Sequence, residues 1–300
     1  RSTLFPYTTL FRSALALLIR DDGSTDGTQA VIEDFCRKDD RISFINREES
    51  QNLGVIQSFH SLLQYQDSDF YLFSDQDDVW LPDKIAMQLA EADKYDSSLP
   101  LLVYTDLKVV DQELQVVHES MIRTQSDHAN TELVQELTEN TVTGGVSMIN
   151  RALAQLWTGK EEHELLMHDW YLGLLAAAFG NLVYIDKPGE LYRQHSNNVL
   201  GARTLRKRVK NWVRPHVLFA KYWKLIKDSQ TQARNLLVLP LTAENRELIE
   251  NFVTIMEVPF KERWRRIRRY GYRKNRIFHT LVFTSLILTK FAYKIGRAHV

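Results

Sequence analysis

The 300-residue chain contains a single cysteine, Cys36, so no disulfide can form within it, and a reducing compartment is expected. It lacks internal repeats and low-complexity tracts. A charge-free stretch near the C-terminus, Ile277 to Thr289, has 13 residues and is too short to cross a bilayer. Net charge is also absent: 38 Lys and Arg balance 38 Asp and Glu. That balance hides an asymmetry. Residues 1–190 hold 14 basic and 32 acidic side chains, a net of −18, and residues 191–300 hold 24 and 6, a net of +18. The two halves therefore face different partners. With 44% hydrophobic residues the chain can bury a sizeable core, so disorder is not expected.

The two ends do not read as protein design. Residues 1–13 spell RSTLFPYTTLFRS and residues 295–300 spell IGRAHV. Both resemble translated sequencing adapters, and both are set aside from fold reasoning as a tag would be. On this reading native sequence runs from about Ala14 to Lys294.

Between those ends, short apolar runs alternate with helix-period segments. Ala14 to Ile19, Ile42 to Ile45 and Phe70 to Phe73 read as buried strands. Helices are expected over Gln29 to Arg37, with Asp26 as cap and Val31, Ile32 and Phe35 facing inward, and, opened by Asn52-Leu53-Gly54, to about Tyr65. Pro82 suits the first turn of another. Leu101 to Tyr104 is a strand ending at Thr105-Asp106, and Leu107 to Val117 extends it as a hairpin. Thr124 to Asn130 reads as a polar loop. Further helices are expected at Thr131 to Leu137, Arg151 to Trp157 and Asp169 to Phe179, with a strand at Leu182 to Ile185. This alternation predicts an α/β fold with a mostly parallel sheet flanked by helices, and ligands gathered beyond the carboxyl ends of the strands. After Gly201 the composition turns helical and basic, which places a domain boundary there.

Both acidic clusters fall at strand ends. Asp75-Gln76-Asp77-Asp78 sets three carboxylates in four residues, which repel one another unless a cation neutralises them. Hard oxygen donors of this kind suit Mg²⁺ or Mn²⁺, ions that also bind substrate phosphates. Acids at a helix N-terminus are the plainer alternative; they account for Asp78 and Asp83 better than for Asp75. Asp21-Asp22-Gly23-Ser24-Thr25-Asp26 is either a turn with a helix cap or a place where a carboxylate receives a ribose hydroxyl or a base N–H.

These two motifs, followed in order by Thr143-Gly144-Gly145, His168-Asp169-Trp170 and Gln194-His195-Ser196-Asn197-Asn198, resemble the family 2 glycosyltransferases of the GT-A fold, and among them the bacterial rhamnosyltransferase-like members. The resemblance covers about Ala14 to Gly201. It implies a nucleotide-sugar donor, a saccharide or lipid-linked acceptor and an inverting transfer. In it Asp75 and Asp77 form the DxD motif, with Asp77 the direct metal ligand. Asp22, with Asp21 and Ser24, holds the nucleoside. Asp169 stands where the family carries its catalytic base, although from sequence alone a helix cap is the better explanation of an acid there. Gly144 and Gly145 would let backbone approach a sugar, or form an ordinary turn. His195 would reach the metal or the diphosphate, where a structural histidine is the alternative. Trp80 and Trp170 read as packing residues. The family's first strand and helix are missing, with adapter-like sequence in their place.

Lys261 to Arg276 carries seven Arg and two Lys against one Glu, interleaved with Trp264, Tyr270 and Tyr272. Beside the apolar Ile277 to Thr289 this fits an anchor lying on an anionic cytoplasmic leaflet, hence a cytoplasmic enzyme peripheral at the inner face of the membrane. No nucleic-acid-binding fold accompanies the basic residues, and a helix packed on the catalytic domain is the plain alternative. Two rival functions remain: a sugar nucleotidyltransferase, which leaves Asp169 without a task, and a membrane-bound binding remnant without turnover.

Overall fold

A computed structural model describes residues 15–48, 51–159, 165–194 and 215–293, with side chains from residue 219 in the last span. The adapter-like ends, residues 195–198 and the boundary expected near Gly201 lie outside the described residues. The chain divides into two compact units, Arg1–Ser68 and Asp69–Val300. The C-terminal helices count with the second.

In the first unit, strand β1 (Leu17–Ile19) pairs in parallel with β2 (Ile42–Phe44), Leu17 opposite Ile42 and Ile19 opposite Phe44. Helix α1 (Thr28–Lys38) makes the crossover that a parallel pair requires. Asp26 serves its start as an Asx turn, Oδ1 accepting the Thr28 N–H at 2.9 Å, while the cap position itself falls to Gly27. The inward face of α1 is narrower than its sequence suggests. Ile32 is buried, but Val31 and Phe35 are 56% and 53% exposed. Two strands of three residues are too narrow to cover the wide apolar stripe of a helix. Helix α2 (Gly54–Tyr65) follows and buries His60 and Leu63.

The second unit is built on a six-stranded sheet in the order β3-β7-β5-β8-β4, with β6 on β5. The strands are β3 (Phe70–Leu72), β4 (Val79–Trp80), β5 (Leu101–Val110), β6 (Val116–His118), β7 (Ser147–Asn150) and β8 (Asn181–Arg193). Strand β5 is the spine, buried along almost its whole length. β8 runs beside all of it, so β7 and β6 share its other edge. The sheet is mixed, which corrects the mostly parallel expectation. Among the described ladders only β1–β2 and β5–β8 are parallel. The other four are antiparallel, and of these β5–β6 is joined by a tight hairpin.

One irregularity positions the site. Along β5–β8 the partners shift from Thr105↔Ile185 to Asp106↔Pro188 and then Leu107↔Glu190, so β8 carries extra residues around Pro188-Gly189. A Cβ on Gly189 would lie 2.4 Å from Thr105 Oγ1, so only glycine allows this approach. The bulge leaves Glu190 fully buried.

Helices α3 (Lys84–Ala92), α4 (Met121–Gln125), α5 (Leu133–Glu136), α6 (Arg151–Thr158) and α7 (His168–Phe179) accompany the sheet. Leu101, Val103, Met148 and Ala92 form a core cluster with Leu72, Leu89, Val183 and Ile185 against it. Helix α7 is apolar all round and buries Leu172, Leu174, Leu175 and Ala176, as expected of a central helix. The last segment is helical: α8 (Pro215–Arg234), α9 (Ala243–Val253), α10 (Phe260–Tyr270) and α11 (Ile277–Thr289). Gly271 at φ 73° ends α10 in the left-handed region, a common helix stop. No helix among the described residues is long and apolar enough to cross a membrane.

Candidate active site

In the first unit the chain leaves β1 at Arg20 and enters the Asp21–Asp26 loop. Asp21 is buried; its backbone N–H donates to Asn46 Oδ1 at 3.0 Å and its carbonyl accepts from Asn46 Nδ2 at 2.6 Å. Its carboxylate accepts from Ser24 N at 3.0 Å, from Ser24 Oγ, and from Gln29 Nε2 at 2.9 Å. Asp22 reaches the start of α2, accepting from Leu53 N at 2.6 Å, Gly54 N at 2.8 Å and Ser58 Oγ at 3.2 Å, and it pairs with Arg20. Burial alone would push both carboxyl groups up. These donors outweigh it and leave both below the ordinary carboxylate range. Four donors occupy the lone pairs of Asp22. Ser24 stays exposed.

In the second unit the sequence-predicted residues gather around the ends of β3, β8 and α7. The acidic loop follows β3. Asp75 is half-buried; burial, then the charge of Asp77, raises its pKa against the pull of Lys84. Asp78 accepts from the Arg193 backbone N–H at 2.8 Å, and burial with the charges of Glu190, Asp77 and Asp75 pushes it up to about 7. The Arg193 side chain braces the same loop through Nε to the Asp77 carbonyl at 3.0 Å.

Asp169 sits buried in the first turn of α7. Burial, with a smaller push from Asp75, raises it to about 6, against hydrogen bonds from the Trp170 and Gly144 N–H groups. Cap position falls to Met167, so Asp169 is not the side-chain cap of this helix. His168, packed against the rings of Phe73 and Trp157, is driven by burial down to about 4 and is neutral at ordinary pH. Gly144 and Gly145 form a 3₁₀ turn before β7. A Cβ on Gly144 would lie 2.9 Å from His168 Nε2, and one on Gly145 would lie 2.6 Å from Glu190 Oε1. Both glycines are therefore demanded by close packing. Trp170 donates Nε1 to the Glu136 carbonyl at 2.8 Å, a packing role.

His195 lies outside the described residues. Among those described, no three His, Cys, Asp or Glu side chains converge closely enough to hold an ion by themselves. The acidic loop still fits a cation of the Mg²⁺ type. Asp75 and Asp77 are close enough for one to raise the pKa of the other, and such ions are held by one or two carboxylates plus substrate phosphates.

Sequence reasoning missed Lys84, Glu190 and Arg193. Lys84 is the first residue of α3, where a cation opposes the helix dipole, and that oddity was its signal. The Pro188-Gly189 pair marked the bulge that inserts Glu190.

The basic segment is more engaged within the protein than its composition suggests. Arg263 is buried and donates to the Val258 carbonyl and, at 2.7 Å, to the Leu288 carbonyl. Arg266 reaches Thr254 Oγ1 at 2.9 Å, Arg269 pairs with Glu247 at 2.9 Å, and Arg276 pairs with Asp127 at 3.2 Å. Lys274 donates to the Thr138 carbonyl. The segment still exposes Lys261, Arg265, Arg268, Arg269 and Arg273, and the helix after it exposes Ile277, Phe278 and Leu281 at 82%, 67% and 64%.

Residues 10–157 match the sequence model of the family described as Glycosyl transferase family 2. That span holds Asp21, Asp22, Asp75, Asp77, Gly144 and Gly145, and ends before Asp169. The chain is 29% identical over 203 residues to the dTDP-rhamnosyl transferase RfbG of Shigella flexneri, covering 63% of this chain and 65% of that protein. It is 32% identical over 74 residues to WfgD of Escherichia coli, a UDP-Glc:alpha-D-GlcNAc-diphosphoundecaprenol beta-1,3-glucosyltransferase, covering 25% of this chain and 28% of that protein. The chain thus spans less than two thirds of the length of these curated relatives. Among solved structures, that of S. aureus TarS 1–349 superposes with a TM-score of 0.50 at 14% identity, covering 97% of this chain and 75% of that one. At that identity the likeness speaks for the fold, an α/β arrangement of the GT-A type.

Proposed function

Because the chain carries a family 2 glycosyltransferase domain, we propose that it moves a sugar from a nucleotide-sugar donor to a saccharide or lipid-linked acceptor, with inversion at the anomeric carbon and Asp169 as the base. The observation that carries this reading is the meeting, within one compact unit, of Asp169 with the acidic loop and the glycine turn. Asp169 is buried, carries a pKa of about 6 and is anionic at neutral pH. A carboxylate so placed takes the proton of an acceptor hydroxyl as that oxygen attacks. Neutral His168 beside it brings no positive charge that would weaken the base. The Gly144 N–H, bonded to Asp169, fixes the direction of the carboxylate.

Asp75 and Asp77 would hold Mg²⁺ or Mn²⁺ together with the donor's phosphate oxygens. Such an ion supplies neutralisation of the diphosphate leaving group. The likeness to RfbG supports deoxythymidine diphosphate rhamnose as the donor to try first, and we propose cell-surface polysaccharide as the product class. Asp21, Asp22 and Ser24 would receive the nucleoside. Both carboxylates are engaged by internal donors, and exposed Ser24 donates its N–H and O–H to Asp21, which leaves the lone pairs of its hydroxyl oxygen to accept from a nucleoside.

We place the protein at the inner face of an anionic membrane through the exposed apolar side chains Ile277, Phe278 and Leu281 of α11, with Trp264 of α10. Amphipathic surface of this kind lies in the headgroup region without spanning it.

Incubating the protein with Mn²⁺, a panel of nucleotide sugars and a saccharide acceptor, and weighing the products, tests the central reading. Acceptor gaining one sugar mass with release of nucleoside diphosphate supports it. Pyrophosphate released from a nucleoside triphosphate would establish a nucleotidyltransferase instead.

A further inference from the structure

Behind the proposed site lies an ion pair that the transfer chemistry does not call for. Lys84 and Glu190 are both fully buried, with Nζ 3.0 Å from Oε2. The Lys84 ammonium also donates to the Gly145 carbonyl and sits 3.8 Å from the centre of the Trp80 ring. Glu190 fills the space beside Gly145 that a Cβ would take, and it lies near enough to Asp78 for its charge to help raise the pKa of that carboxyl. Three buried polar atoms in this pocket, Glu190 Oε1, Thr105 Oγ1 and Trp80 Nε1, have no hydrogen-bond partner among the described residues.

Such a pair is a poor investment in stability. Desolvating two charges consumes most of their attraction, and well-packed apolar residues of similar volume commonly do as well or better. Lys84 also occupies the positive end of α3, where a cation is disfavoured. The pair nevertheless adjoins two parts of the site. Through Asp78 it meets the acidic loop. Through the Gly145 carbonyl it meets the turn whose Gly144 N–H holds Asp169. Strand β8 delivers Glu190 through its bulge, and β4 pairs Trp80 directly opposite Glu190.

We propose that Lys84 and Glu190 are positioning residues that lock the acidic loop, the glycine turn and the Asp169 carboxylate into one geometry, with Lys84 the buried cation at the centre. This inference rests on the reading of Asp169 and the acidic loop given above. The pair touches neither substrate nor reacting atoms; it sets the spacing between the groups that do. A misplacement of about 1 Å at such a remove is enough to cost a hundredfold in rate.

The test compares the full chain with Glu190→Gln, which keeps shape and removes charge, and with the apolar double replacement Lys84→Met/Glu190→Leu. Melting temperature, peptide-resolved hydrogen exchange and steady-state kinetics are measured on all three. The proposal expects the double replacement to melt near the unaltered protein and Glu190→Gln, which leaves the Lys84 ammonium buried without its partner, to melt lower; in both, faster exchange is confined to peptides covering residues 75–78 and 144–147 and absent from α9. It expects kcat to fall about a hundredfold with little change in donor KM. A variant with unaltered exchange in both loops and unaltered kcat overturns it. So does, in the double replacement, exchange that rises evenly along the chain together with a lowered melting temperature, which marks the pair as structural only. An unaltered protein that transfers no sugar to any acceptor counts against the proposed function instead, and the exchange measurement then decides the locking claim by itself.

Discussion

Two acidic clusters sit at strand ends in this protein, and they are built in opposite ways. In the first unit the Asp21 and Asp22 carboxylates are supplied with N–H and O–H donors from the Ser24 loop, the start of α2 and Arg20, and both are held below the usual range. In the second, Asp75, Asp78 and Asp169 are pushed up by burial and by neighbouring carboxylates. A carboxylate with every lone pair satisfied stabilises the fold around it. One left short of donors and close to its own kind is ready for a cation or a proton. The first cluster reads as a brace that shapes a binding loop, the second as the place where chemistry is proposed to happen.

That contrast breaks most sharply at the acidic loop. Asp77→Asn is expected to remove measurable transfer while leaving the circular dichroism spectrum intact, and a chelator is expected to do the same to the unaltered protein until Mn²⁺ is restored. Full activity in chelator would contradict the cation reading. Gly145→Ala comes next. Its Cβ would meet Glu190 Oε1 at 2.6 Å, so either the turn or the ion pair must shift, and kcat is expected to drop by roughly a hundredfold, read in initial-rate assays.

In the first unit the expected effect is on stability. Asp22→Asn removes charge-assisted bonds to the Leu53 and Gly54 N–H groups and to Arg20, and is expected to cost about 1.5–3 kcal/mol in denaturant unfolding. The sign with pH follows from the lowered pKa. The stabilisation is present above the unfolded-state value of 3.8 and is lost as pH falls through the still lower folded value. An Asp22→Asn protein that unfolds like the unaltered one but no longer binds nucleotide would sharpen the comparison differently, making this cluster a binding site first. The smallest effect is expected at the surface. Replacing Ile277, Phe278 and Leu281 with serine is expected to weaken sedimentation with anionic vesicles and to leave transfer to a soluble acceptor unchanged, since all three are exposed.

Much of this arrangement was legible in the residues. Short apolar runs bounded by turn residues located β1, β2, β3 and the start of β5, and the apolar stretch after Asp169 located α7. Asp75 stood out because an acid at the end of a buried strand has few ordinary reasons to be there, whereas Asp169, which a helix cap explains from sequence alone, stood out only through the family resemblance. Other features depend on residues far apart in the chain. Lys84 meets Glu190 across 106 positions and Arg276 meets Thr124 across 152. No local pattern announces such partners, so the ion pair behind the glycine turn was missed and the basic segment looked freer than it is. Strand direction was misjudged for a related reason, since a helix between two strands in sequence need not be a crossover between neighbours in the sheet. The exposed Val31 and Phe35 mark a further limit, because helical periodicity identifies an apolar face without saying how much sheet exists to cover it.

The central claim, that Asp169 takes the acceptor proton, is tested most directly by the pH dependence of kcat/KM in the unaltered protein and in Asp169→Asn. The base acts deprotonated, so with a pKa of about 6 the unaltered enzyme is expected to lose rate tenfold for each pH unit below about 6 and to level off above it. Asp169→Asn is expected to be slower by about 10² to 10⁴ and to show no such acid limb. An acid limb near pH 6 that persists unchanged in Asp169→Asn would contradict the account and assign the base to another residue.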